Sequence, residues 1–130
     1  MSDLQEAQSF FSGDRYATAA TGCEIVAVDE RYAKCILRLD ERHFNAVGQV
    51  MGGVAYTLAD FAFAVATNFR QPPTVTVSAT ISYPGRIKGH TLLAETRLIK
   101  DGRRNCFYEV TITDELDTLI AVVNFTGAHV

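Results

Sequence analysis

One carboxylate stands apart in this sequence. Asp60 falls inside Met51–Asn68, a run reading MGGVAYTLADFAFAVATN that is apolar at nearly every helical position. A helix without a polar face belongs in the interior of a fold. An ionised carboxylate there is costly unless it is paired or hydrogen-bonded, so the placement points to a site or an interface. The same run opens with Gly52-Gly53. The first N–H groups of a helix have no intrahelical acceptor and lie at the positive end of its dipole, and glycines leave them unobstructed. Upstream, Asn45 offers a donor and an acceptor on one side chain, and His43 adds an imidazole in the same loop. A base or nucleophile beside anion-stabilising donors is the chemistry these groups suit.

The rest of the chain must hold that helix. Composition bounds the answer: 130 residues, 48% hydrophobic and 21% charged, describe a globular chain, read as one domain over residues 1–130. A net charge of −3 supplies no field for recruiting nucleic acid. The first residues lack a basic stretch followed by an apolar core, so no signal peptide is expected. The Met51–Asn68 run carries an aspartate and stops before two prolines, which fits a buried helix better than a membrane span. Cys23, Cys35 and Cys106 form no CxxC pair. They read as buried small hydrophobes in a reducing, cytoplasmic compartment. The three histidines have no metal-binding spacing, and no metal is expected.

Ser2-Asp3-Leu4-Gln5 has capping-box form and starts a short amphipathic helix that Ser12-Gly13-Asp14 ends. Strand-like runs follow at Thr18–Asp29 and Arg31–Asp40; in the second, Ala33, Cys35, Leu37 and Leu39 alternate with Lys34, Ile36, Arg38 and Asp40. A polar connection, Glu41–Val50, leads into the central helix, which Gln71-Pro72-Pro73 forbids from continuing. Ala55, Ala59, Ala62 and Ala66 give it one face of small side chains, suited to lying close against a sheet. Four further strands are expected at Thr74–Tyr83, Thr91–Lys100, Arg103–Thr113 and Thr118–Thr126, with Asp101-Gly102 as a two-residue hairpin turn. The fold class is therefore α+β: a curved antiparallel sheet of about six strands wrapped around one long central helix. The last strand is apolar on both faces, so a second chain is expected to cover what one sheet leaves open.

This order of elements, together with Asn45, Gly48, Gly52, Gly53, Leu58 and Asp60, resembles the hotdog-fold thioesterases of the phenylacetate-pathway, PaaI-like, type. The signature there is an Asn, a Gly, a His-Gly-Gly, then Leu-x-Asp in the helix; the spacing matches throughout, and Met51 stands where the histidine would be. The resemblance implies an acyl-coenzyme A thioesterase without a cofactor beyond the coenzyme A of its substrate. It also implies a homodimer, often paired into a tetramer, whose sites are shared between subunits.

In that setting the Gly53 N–H is the oxyanion donor, Asp60 the general base or nucleophile, and Asn45 a holder of water or carbonyl. Thr76 falls near the family's hydroxyl position and orients the nucleophile. Met51, Gly52, Tyr83, Pro84 and Gly85 border the substrate. Arg86 and Lys88 after Tyr83-Pro84-Gly85, and Lys100, Arg103 and Arg104 around Asp101-Gly102, form two basic loops that meet coenzyme A's pantetheine and phosphates in the resembling enzymes; arginine and lysine suit phosphates. Each residue has a plainer alternative: Asp60 hydrogen-bonded to Thr57, Gly52-Gly53 a close-packing pair, Asn45 a turn former, Thr76 one member of a Thr/Ser-alternating strand, and the basic loops solvated turns. Because methionine donates no hydrogen bond, the alternative function is a catalytically silent acyl-coenzyme A binding protein. A hotdog hydratase ranks third, since that chemistry needs a histidine the central segment lacks.

Overall fold

A computed structural model describes residues 1–130. The capping box is formed: Ser2 Oγ accepts from Gln5 N–H at 3.2 Å and Gln5 Oε1 from Ser2 N–H at 3.0 Å. It starts helix α1, Asp3–Phe11, whose Ala7 and Phe11 enter the core. The stretch expected to open a strand at Thr18 instead forms a π-helical turn, Tyr16–Thr21. Thr18 turns both its N–H and its hydroxyl onto the Asp14 carbonyl (2.9 and 3.0 Å), and Gly22 and Cys23 both donate to Ala17 O. These short-range bonds wind a run of small residues that an extended strand would leave straight. Strands β1 (Glu24–Asp29) and β2 (Tyr32–Arg38) follow, with Ala33, Cys35 and Leu37 facing the core in the alternation expected of them.

After the connection comes α2, Gly52–Asn68, and then β3 (Thr74–Ser82), β4 (Thr91–Asp101), β5 (Asn105–Asp114) and β6 (Leu119–His129). All pairings are antiparallel, in the order β1-β2-β4-β5-β6-β3. β2 and β4 become neighbours because α2 and β3 intervene in the chain, and β3 crosses to the far edge beside β6. The β4–β5 connection is longer than the two-residue turn expected: Gly102, Arg103 and Arg104 lie outside both strands, and Gly102 N–H donates to Asn105 O at 2.8 Å.

The sheet curls around α2, as its composition demands. Ala55, Ala59, Ala62 and Ala66 are all buried, so the helix backbone can sit close to the strands. Phe63 fills the space beyond them, stacked on Phe125 at 4.5 Å and edge-on to Tyr108 at 5.4 Å, and Phe61 meets Phe11 edge-on at 6.3 Å. Fully burying a phenylalanine contributes about 1.5–3 kcal/mol, so this aromatic column is a principal link between helix and sheet. The helix is not covered all round. Gly53, Thr57, Asp60 and Ala64 form one stripe that stays partly or wholly accessible. At the sheet's edge, β3 carries exposed Val75 (50%) and Val77 (61%), and no strand pairs with its outer side. No helix is long and apolar enough to cross a membrane.

Candidate active site

The start of α2 is set by its neighbours rather than by a side-chain cap. Met51 occupies the N-cap in an extended conformation (φ −63°, ψ 133°) and contributes no capping bond. Its N–H donates to His43 O at 3.0 Å, and its carbonyl accepts from Val54 at 2.9 Å. The N–H groups of Gly52 and Gly53 find no acceptor within the chain. His43 does not face a ligand. It is 3% exposed, with Nδ1 accepting from Asp40 N–H at 3.0 Å and Nε2 donating to Thr21 O at 2.7 Å, so it is a fixed ring that anchors the connection preceding α2. Tyr83 closes the other side, its hydroxyl donating to Gly52 O at 2.8 Å. A side chain at position 52 would press on that ring, with the nearest atom at 3.1 Å. A small cavity of about 90 Å³ opens here, bordered by Met51, Gly52, Tyr83, Gly85, Arg86 and Ile87.

Asp60 lies two turns further along, seven residues from Gly53, which puts it on the same stripe about 10 Å along the axis. It lines an open depression of about 400 Å³ with Asp14, Tyr16, Tyr56, Phe61 and Ala64. Thr57 does not satisfy it: that hydroxyl donates to Gly53 O at 2.8 Å, and the Asp60 carboxylate has no hydrogen bond or ion pair within the chain. Burial, and then the negative charge of Asp14, raise its pKa above the ordinary aspartate value. A carboxylate so placed is a stronger base than an exposed one and is free to act on a bound group.

The remaining expected residues divide by position. Asn45 Oδ1 accepts from Val47 and Gln49 N–H (3.1 and 3.0 Å), so its acceptor shapes the turn and only its amide nitrogen stays free. Thr76 is exposed on the edge strand β3, makes no side-chain hydrogen bond and does not line the depression at Asp60. The two basic loops do not meet within one chain. Arg86 and Lys88 sit beside the start of α2, whereas Lys100, Arg103 and Arg104 sit at the other end of β4, whose 11 residues span about 35 Å. The hairpin end is instead tied to the β1–β2 turn, through Arg31 and Asp101 at 2.9 Å. Cys23, Cys35 and Cys106 are buried free thiols, and burial pushes Cys23 to about 12.

Three features escaped the sequence. Asp14, expected only to help end the first helix, is returned by the fold to Asp60. Tyr83, expected to border the substrate, does line the cavity at the start of α2, and its hydroxyl also holds the first carbonyl of that helix. Asp114 and Glu115, read as an ordinary turn, grip the loop that carries Arg86 and Lys88. Only the acidic pair following a strand could have marked the last of these.

The family profile described as the thioesterase superfamily matches residues 47–121, more than half of the chain and the part that holds the α2 site. The chain is 28% identical to the Escherichia coli acyl-coenzyme A thioesterase PaaI over 120 residues, covering 91% of this chain and 84% of that protein. The structure of the E. coli PaaI protein superposes with a TM-score of 0.84 at 22% identity, over 98% of this chain and 96% of that one. A Streptococcus mutans protein solved with acetyl-CoA bound superposes with a TM-score of 0.78 at 25% identity, over 83% and 88% of the two chains. Fold, signature and sequence agree: this chain belongs to the thioesterase superfamily and is a PaaI-like, hotdog-fold thioesterase.

Proposed function

We propose that this protein hydrolyses acyl-coenzyme A thioesters at sites built between two copies of the chain, Gly53 from one and Asp60 from the other. The observation that carries this reading is the stripe on α2. An unpaired Gly53 donor and an unpaired Asp60 base lie on one face of one helix, about 10 Å apart. A single carbonyl cannot touch both. Two such helices related by a two-fold axis and running antiparallel bring each donor to the other's base, twice. The bare outer edge of β3, with Val75 and Val77, offers such a partner a strand to pair with. The homodimer that results has room to pair again through its exposed sheet faces. The relative named an acyl-coenzyme A thioesterase and the neighbour solved with acetyl-CoA support the choice of thioester. Three buried thiols suit a reducing compartment, and we place the protein in the cytoplasm.

In the reaction, water attacks the thioester carbon while Asp60 takes its proton. The carbonyl oxygen gains charge against the Gly53 N–H at the positive end of the helix. The carbon–sulfur bond then breaks, and the proton held by Asp60 passes to the departing thiolate, giving free acid and coenzyme A. The Asn45 amide nitrogen is left to hold water or carbonyl, and Thr76 of β3 orients the base across the pair. Met51 supplies only apolar contact over Gly53. Arg86 and Lys88 of one copy, and Lys100, Arg103 and Arg104 of another, offer charge to the coenzyme's phosphates.

A panel of short-chain, aromatic and long-chain acyl-coenzyme A substrates tests this. Asp60→Asn and Asp60→Ala are expected to lower kcat by about 10²–10⁴-fold, and unchanged turnover in both would end the mechanism. Tight acyl-coenzyme A binding without turnover in the native chain, with turnover appearing in Met51→His, would instead establish the silent-binder alternative.

A further inference from the structure

Tyr83–His90, the loop between β3 and β4, has no regular structure, and none of its N–H groups donates to a backbone carbonyl. Its backbone is held by two carboxylates from the β5–β6 turn. Asp114, 2% exposed, accepts from Lys88 and Gly89 N–H through Oδ2 (2.9 and 3.0 Å) and from Leu116 and Thr118 N–H through Oδ1 (3.0 and 2.9 Å). Glu115 accepts from His90 N–H at 2.8 Å and Thr91 N–H at 3.1 Å. The fit leaves no slack. A Cβ at Gly89 would overlap the Glu115 carboxylate, and one at Gly85 would overlap the Leu119 carbonyl. Ile87, between them, packs against the core.

The carboxylates thus meet N–H groups and not the cations beside them. Arg86 and Lys88 are exposed and form no ion pair, while Arg31, Arg42 and Arg70 elsewhere in the chain are each engaged by an acid. We propose that Asp114, Glu115 and Gly89 are positioning residues that lock the Tyr83–His90 backbone and present Arg86 and Lys88, uncompensated, to the phosphates of the coenzyme portion of the substrate. This rests on the acyl-coenzyme A reading above. The clamp satisfies two acids without using the loop's positive charge and fixes both cations on one rigid segment. A preordered segment loses less freedom when a ligand binds.

Two substrates with the same acyl group separate this role from simple stability: the coenzyme A thioester, and the pantetheine thioester that lacks the nucleotide phosphates. Gly89→Ala and Glu115→Ala, both at the exposed corner, are expected to raise KM for the coenzyme A thioester about tenfold, the effect of losing roughly one phosphate contact. They leave kcat, and kcat/KM for the pantetheine thioester, within about twofold, and flatten the salt dependence of kcat/KM for the coenzyme A thioester. The double variant Arg86→Gln/Lys88→Gln tells the two readings apart. If it raises the coenzyme A KM and neither clamp variant does, the positioning role falls and the phosphate site stands. If it leaves that KM unchanged, both fall. Equal losses on the two thioesters in the clamp variants would mark a merely structural corner and overturn the proposal.

Discussion

Asp60 and Asp114 are the same residue in opposite surroundings. Asp114 ends β5 with four backbone N–H groups around it. Burial pushes its carboxyl up, but the N–H groups of Lys88, Thr118 and Gly89 outweigh that and hold it at about 2. Asp60 has no donor at all, faces another acid, and is raised. A buried carboxylate that the backbone saturates is spent on structure, because its lone pairs are already occupied. One that is desolvated and unoccupied costs the fold free energy and keeps its basicity for something else. The pair shows one chain holding two aspartates apart, one lowered by the hydrogen bonds it accepts and one raised by burial and a like charge.

The sharpest way to break that contrast is to place the same isosteric amide at both positions. Asp60→Asn should abolish most turnover yet leave the melting temperature unchanged or slightly higher, since it removes a desolvation cost and no hydrogen bond. Asp114→Asn should do the reverse in stability. An amide has one acceptor oxygen, so about two of the four N–H groups lose their partner, at a cost of about 3 kcal/mol or about 10 °C in Tm. Thermal melts and turnover measured on both proteins check it; a fall of several degrees in Asp60→Asn would show that its carboxylate is structural after all.

Acid titration of stability separates them next. Asp114 has a folded pKa below the unfolded one, so its contribution is complete above pH 4 or so and is lost as pH falls toward about 2. Asp60 has a folded pKa above the unfolded one, so its contribution is present below the ordinary aspartate value and is lost as pH rises through the raised one. Denaturant midpoints measured from pH 2 to 7 should therefore flatten at the acid end in Asp114→Asn and rise slightly near neutrality in Asp60→Asn. Identical pH profiles for the two variants would collapse the distinction.

How much of this could be read from the residues depends on the range over which each interaction acts. The helix over α2, its small-residue face and the alternation in β2 follow from periodicity, which is local, and all three are as expected. The stretch before β1 departs from the strand expected there because Ala17, Ala19 and Ala20 have no periodic signature and the competing short-range bonds to Asp14 and Ala17 carbonyls decide it. The candidate donors and base were visible because glycine and aspartate are out of place in an apolar helix. Their separation of about 10 Å follows from the seven-residue spacing, and the expectation of a site shared between subunits came from the resemblance rather than from periodicity. The two basic loops looked equivalent in sequence, yet a strand of 11 residues keeps them apart. Long-range returns such as Asp14 to Asp60, or Asp114 to Lys88, carry no local mark at all.

The smallest effect concerns that Asp14 return and tests the base role proposed for Asp60. Burial is the larger cause of its raised pKa and the Asp14 charge the second. Arg15, Tyr16 and Tyr56 also line the depression, but Arg15 lends no opposing charge large enough to reverse the shift. Asp14→Asn removes one negative neighbour, so Asp60 ionises at a lower pH. The acid limb of kcat/KM should then move downward, while the plateau rate falls slightly as the base weakens. A limb that stays in place would assign the whole shift to desolvation. Loss of turnover together with the limb would mean that Asp14, not Asp60, is the group whose ionisation the rate reports, and would transfer the role of base across the depression.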